Sequence, residues 1–209
     1  MTRLLVVGAA GRAGSTTVTE ARTRGLRVTA LVRDPERYQA PAGVRVVRGD
    51  VTSTADLERA AQGQDAVVAA VYDRHADPAR FLPSAASALS AALGVADVAR
   101  LVWVGLGPLL PDAAGVPVAD TGAFPAEHRP FTRAHAAALD VLHAGDLDWA
   151  AVSPSGDFES TGRRLGGYRF APGDFAARIS YPDHAIALVD EAVEPTLHRA
   201  HAGVIGVTD

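Results

Sequence analysis

Three glycines stand at a spacing of three in Gly8-Ala9-Ala10-Gly11-Arg12-Ala13-Gly14, directly after a short apolar run and directly before a helical pattern. Each has its own physical use. Gly8 permits a tight turn, Gly11 lets the backbone approach a pyrophosphate with no Cβ in the way, and Gly14 lets a helix pack closely on a strand. The loop amides, those of Ala10 and Ala13 among them, and the positive end of the helix then suit phosphate groups. This points to a dinucleotide; the competing reading is a turn that serves packing alone.

A second position bears on which dinucleotide. The residue ending the second strand of such a unit meets the adenosine ribose, where an acid binds a 2′-hydroxyl and an arginine pairs with a 2′-phosphate. Here it is Arg33, nineteen residues after Gly14. With Arg12 as a second cation, NADP is the preferred cofactor. Asp34 follows, so NAD stays open if Arg33 turns outward. Asp50 and Val51, closing the third strand, are placed to flank an adenine, although Asp50 serves equally well as a turn cap. Ala69 and Ala70, closing the fourth, leave room for ribose and nicotinamide.

These residues need a sheet to hold them, and the pattern supplies one. Apolar, β-branched runs at Arg3–Val7, Arg27–Val32, Val44–Val47, Ala66–Val71, Leu101–Val104 and Trp149–Val152 predict strands. Helices are predicted over Gly14–Arg24, Ser53–Ala61, Pro78–Leu93 and Pro125–His143, with Ser53 or Thr54 capping the second and Asp183 at the start of a later one. Strand and helix alternate. The expected fold class is α/β, a single Rossmann-like domain over 1–209 with a doubly wound, mostly parallel sheet and helices on both faces. Two segments break the alternation, 105–127 with four prolines and four glycines, and 153–180 with a short strand at Tyr168–Phe170. Both follow strands, so both emerge at the carboxyl edge as substrate-site loops. Trp103 and Trp149 are expected in the core.

Composition narrows the chemistry. The 209 residues carry a net charge of −4, which argues against a nucleic-acid partner. All 20 basic residues are arginine and there is no cysteine, so Schiff bases, disulfides and thiolate chemistry are excluded. The opening run Leu4–Val7 is too short for a leader and no apolar stretch approaches the roughly 20 residues of a membrane span, so a cytoplasmic protein without a membrane partner is expected. Monomer and homodimer both stay open. His198-x-x-His201 has no third ligand nearby, so no metal is expected. Ser153 and Ser155 form no G-x-S-x-G elbow.

The chain resembles the atypical short-chain dehydrogenase/reductase proteins, in particular the NmrA-like and biliverdin reductase B-like NAD(P)H-binding family. The likeness lies in VVGAAGRAGSTTVTEARTRGLRVTALVRDPER, in GDV at 49–51, LVWVGLGPL at 101–109, LDWAAVSPSGDF at 147–158 and ISYPDHAIALVDEAVEP at 179–195. It implies NADP held by Gly8, Gly11, Arg12, Ala13 and Arg33, adenine at Asp50 and Val51, and nicotinamide near Ala70, Gly105 and Pro154. One departure matters. The Tyr-x-x-x-Lys dyad of typical members is missing, because the chain has no lysine and none of Tyr38, Tyr72, Tyr168 or Tyr181 lies in the helix after the fifth strand.

That helix offers His128, Arg133 and His135 instead, and His128 and His135 are the candidate proton donors. Hydride transfer to a flavin or quinone tolerates a missing dyad, since the acceptor is already electrophilic and its proton comes from solvent. The expectation is therefore an NADPH-dependent reductase of a small aromatic, quinonoid or flavin-type acceptor, with Tyr72, Leu106 and Phe158 facing that acceptor. The alternatives are a dinucleotide-sensing regulatory or scaffold protein and a non-redox, isomerase- or epimerase-like enzyme on the same fold.

Overall fold

The computed structural model, which describes residues 1–122 and 124–207, buries Leu4, Leu5, Val6 and Val7 completely. Ala123, within the 105–127 loop, and residues 208–209 lie outside the described residues. A strand buried on both faces reads as a continuous apolar run, and this one sits inside a wide parallel sheet. In chain order the elements are β1 (Arg3–Val7), α1 (Arg12–Thr23), β2 (Arg27–Val32), β3 (Arg45–Arg48), α2 (Thr54–Ala61), β4 (Ala66–Ala69), α3 (Pro78–Val95) and β5 (Arg100–Val104). There follow α4 (Arg129–Ala144), β6 (Asp148–Pro154), β7 (Asp157–Glu159), β8 (Tyr168–Phe170), β9 (Arg178–Ser180), α5 (Tyr181–Val193) and β10 (Ala200–Gly206).

The main sheet runs β3-β2-β1-β4-β5-β6-β10-β8. Its pairs are parallel except at the edge, where β8 runs antiparallel to β10. Alternation along each strand divides the core in two. Leu5 and Val7 pack with Leu57 of α2, Leu89 of α3 and Leu142 of α4 on one face, while Leu4 and Val6 meet Val18 of α1 and Leu188 of α5 on the other. The architecture is the doubly wound α/β fold expected. Trp103 and Trp149 are fully buried in the first of these clusters.

Local chemistry explains the helix ends. Ser53 accepts from Asp56 N at 3.3 Å and Ser180 from Asp183 N at 3.1 Å, so Ser53 caps α2 and Asp183 is a first-turn acid. Helix α1 starts at Arg12, two residues before the expected Gly14, because Gly11 is extended (φ −76°, ψ 168°) and serves as its N-cap. The segment 153–180 is more ordered than expected. Besides β8, it contributes β7 and β9, which pair parallel in a separate two-stranded ribbon. Among the described residues, 3₁₀ turns form at Gly107–Leu109, Val118–Asp120 and Ala126–His128, and this region docks on it. At Gly173 a Cβ would stand 2.7 Å from Val118 Cγ2 and 3.0 Å from Leu110 O, so that junction has no room for a side chain.

Candidate functional site

Register brings the working residues to one edge. Val7 pairs with Leu31 of β2 and with Ala69 of β4, and Ala69 pairs with Trp103 of β5, so the residues following these strands leave the sheet side by side. Gly8 turns the chain there with φ +78°, and its carbonyl accepts from Gly11 N at 3.0 Å. A Cβ on Gly8 would lie 2.2 Å from Ala70 O, and one on Gly14 would lie 2.2 Å from Gly8 O. The turn is as tight as backbone allows. The first-turn amides of α1 have no carbonyl partner within the helix, no side chain caps them, and no acid sits in that turn. These features suit an anion and fit a dinucleotide pyrophosphate.

A cavity of about 590 Å³ opens from this loop. Its lining includes Gly8, Ala10, Gly11, Arg12 and Ala13 from the glycine loop, and Arg33, Asp50 and Val51 from the residues following β2 and β3. The lining also includes Ala70, Tyr72, Phe81, Gly105, Leu106, Phe131, His135, Phe158 and Tyr181. Arg33 is bonded to Asp73 through Nη1. Asp34 does not line the cavity and meets Arg37 at 3.4 Å. Asp50 accepts from Thr52 N at 2.8 Å and Thr52 Oγ1 at 2.6 Å, a turn cap that still lets the residue line the cavity.

The aromatic side chains are ordered among themselves. Phe158 and Tyr181 stack at 4.1 Å with an interplanar angle of 9°, and the Arg12 guanidinium lies 5.2 Å from the Tyr181 ring centroid. Phe131 meets His135 edge-on at 4.7 Å and Tyr72 at 5.9 Å. The cavity is thus lined by several aromatic rings, which suits a planar aromatic guest.

Besides Asp34 and Arg133, four residues given a site role by the sequence stand outside the cavity lining. Gly14 packs α1 on the loop. Ala69, the last residue of β4, turns to the core beside Val67, because alternation gives the cavity to Ala70. Pro154 is held in the ladder opposite Val204, and its carbonyl faces Gly107. His128 is the exposed N-cap of α4, 6.3 Å from the Phe124 ring centroid, so of the two histidines on this segment it is His135 that reaches the cavity. Conversely, Phe81, Phe131, Tyr181 and Asp73 are given no site role by the sequence. The i,i+4 spacing of Phe131 and His135 was a usable signal. Tyr181 meets Phe158 and Arg12 only through the completed fold.

Burial sets the charge state of the histidines. His135 is pushed down to about 4, by burial first and then by the charge of His201. His201, whose Nε2 lies 2.7 Å from Ser153 Oγ, and His184, whose Nε2 faces Val152 O at 3.2 Å, are also lowered by burial to about 4. His198 instead meets Asp148, so it and His201 point to different partners.

A pH dependence of stability follows. Unfolded, the three imidazoles titrate near the ordinary value of 6.5; folded, they stay neutral down to about 4. The unfolded chain therefore binds more protons in that window, and stability, full above pH 6.5, falls as the pH drops toward 4. Urea midpoints measured from pH 7.5 to 4.5 should decline with proton uptake approaching three per unfolding event, and His184→Gln should remove about one of them. A flat profile contradicts the assignment.

A family model described as NAD(P)H-binding matches residues 8–190. The uncharacterized protein YwnB of Bacillus subtilis is 32% identical over 203 residues, covering 91% of this chain and 92% of its own. A solved structure from Burkholderia pseudomallei, provisionally described as an exported protein, is 32% identical with TM-score 0.86 and coverage of 99% and 100%. Another from Streptococcus pneumoniae, provisionally described as an NADH-flavin reductase, is 31% identical with TM-score 0.84 and coverage of 99% and 100%.

Proposed function

Since the chain belongs to the NAD(P)H-binding family, we propose that it is an NADPH-dependent reductase of a small planar aromatic, quinonoid or flavin-type acceptor. The observation that carries this reading is the juxtaposition of a glycine cradle with an aromatic lining in one cavity. The similarity to the streptococcal protein supports the acceptor class. Gly8, Gly11, Arg12 and Ala13 would hold the pyrophosphate, Arg33 the 2′-phosphate, and Asp50 and Val51 the adenine. Bound NADPH supplies a hydride from its nicotinamide ring. Ala70 and Gly105 leave space for that ring, and Tyr72, Leu106 and Phe158 align the acceptor beside it. His135, neutral at pH 7, hydrogen-bonds the acceptor, whose proton comes from solvent.

NADPH is preferred over NADH in this reading because Arg33 faces the cavity while the Asp34 carboxylate is turned to Arg37. Arg33→Ala should weaken NADPH by about 10- to 100-fold and NADH less than threefold, since a guanidinium–phosphate contact is charge-assisted. Calorimetry with both dinucleotides checks this, and an unchanged ratio contradicts it. Leu4–Val7 form the buried strand β1, and among the described residues no helix is long and apolar enough to cross a membrane. The deciding experiment for the activity is NADPH oxidation at 340 nm with FMN, FAD and a series of quinones. Steady turnover is expected with at least one; tight binding without turnover across the series replaces the reductase by a dinucleotide sensor.

A further inference from the structure

We propose that Asp73, in the loop after β4, is a specificity-setting carboxylate that competes with the 2′-phosphate for Arg33. The inference rests on the dinucleotide reading above. In that reading Arg33 is the cation at the ribose, and among the described residues its salt-bridge partner is Asp73. The two differ in freedom. The Arg33 side chain is 63% exposed, whereas that of Asp73 is 12% exposed and its other oxygen accepts from His75 N at 2.9 Å. Asp73 is thus tied to its own loop and is the less free of the two to move when an anion arrives.

The guanidinium has five N–H donors, and Asp73 engages Nη1, which leaves Nη2 and Nε for a phosphate. Geometry therefore permits both partners at once, but charge does not favour it. A 2′-phosphate set on Arg33 brings a doubly charged group close to a carboxylate that is already there, and like charges a few ångströms apart repel. A ribose 2′-hydroxyl meets no such repulsion. Asp73 also orders Arg33, which works the other way, but for a side chain so exposed that gain is the smaller of the two. The outcome is a cavity that takes NADPH first yet keeps appreciable affinity for NADH.

The test is Asp73→Asn. Asparagine keeps the Oδ1 acceptor for His75 N while removing the charge. Binding of NADPH and of NADH is measured by calorimetry at low ionic strength. NADPH should bind about 3- to 10-fold tighter in the variant and NADH within twofold of wild type, and the gain should shrink in high salt. In an Arg33→Gln background the same substitution should change the NADPH to NADH ratio by less than twofold, which separates competition for Arg33 from a general effect of charge on the loop. If wild-type protein binds both dinucleotides and Asp73→Asn leaves NADPH unchanged or weaker, this inference is overturned alone. If wild-type protein binds neither, the dinucleotide reading falls and takes the inference with it.

Discussion

Gly8→Ala is expected to weaken NADPH binding by at least about 100-fold and to lower the melting temperature by roughly 5–15 °C. Two costs add at this position. An L-residue at φ +78° is strained by about 1–2 kcal/mol, and the added Cβ would stand 2.2 Å from Ala70 O. That oxygen belongs to backbone at the end of β4, whose register with β1 leaves it no freedom to retreat. The turn must open, and the amides that follow it leave their common focus. Gly25→Ala is the control. Gly25 has the same φ of +78°, but nothing lies within 4 Å of its Cβ position and it is remote from the cavity lining. It should cost about 1 kcal/mol of stability and leave the NADPH dissociation constant unchanged. Calorimetry and thermal melts on the two variants separate strain from site; Gly8→Ala binding within threefold of wild type contradicts the cradle.

Glu191→Ala is expected to cost about 3 kcal/mol, a fall of roughly 6–12 °C in melting temperature, while the surviving folded protein binds NADPH normally. Glu191 of α5 and Arg100 at the start of β5 are both buried, at 1% and 6% exposure. Arg100 Nη2 donates to Glu191 Oε2 at 2.8 Å, Nε to Glu191 O at 2.9 Å and Nη1 to Leu197 O at 2.8 Å. The same carboxylate accepts from Thr196 N at 3.1 Å and Leu197 N at 3.0 Å, and Arg100 Nη1 also lies 3.2 Å from Asp148 Oδ2, so these charges tie α5, β5, β6 and the turn entering β10. Removing Glu191 leaves the buried Arg100 with only the partly exposed Asp148 as counter-charge, and strands Arg100 Nη2 and the amides of Thr196 and Leu197. Removing both is a smaller insult, because the desolvation cost of the pair disappears with it. Arg100→Met/Glu191→Leu should therefore recover more than half of the loss, measured by urea unfolding. Single variants milder than the double would contradict this account. Binding is spared because the pair lies at the opposite, amino end of the strands.

What could be read from sequence was local in origin. The β1 run, the glycine spacing and the place of Arg33 all fall within one strand-loop-helix-strand unit, whose geometry depends on near neighbours. Parity was harder. Whether Ala69 or Ala70 faces the cavity turns on a strand end uncertain by one residue, and a shift of one exchanges the two faces. β7 and β9 have three residues each, too few to display a period of two, and they pair across a span that includes β8. The aromatic lining was partly legible through Tyr72 and Phe158. Tyr181, Phe81 and Phe131 complete it from helices far apart in sequence, and Asp73 reaches Arg33 across a separation of 40 residues. Nothing in the spacing of such residues announces their meeting.

The central claim is that the amides opening α1 hold the diphosphate of a nicotinamide dinucleotide. Amide hydrogen exchange of wild-type protein with and without saturating NADPH tests it at those atoms. Slowed exchange concentrated in residues 9–15, with a smaller effect at Arg33 and none at the Arg100–Glu191 end of the sheet, is the result this account predicts. Exchange at residues 9–15 that is the same with and without NADPH would contradict it.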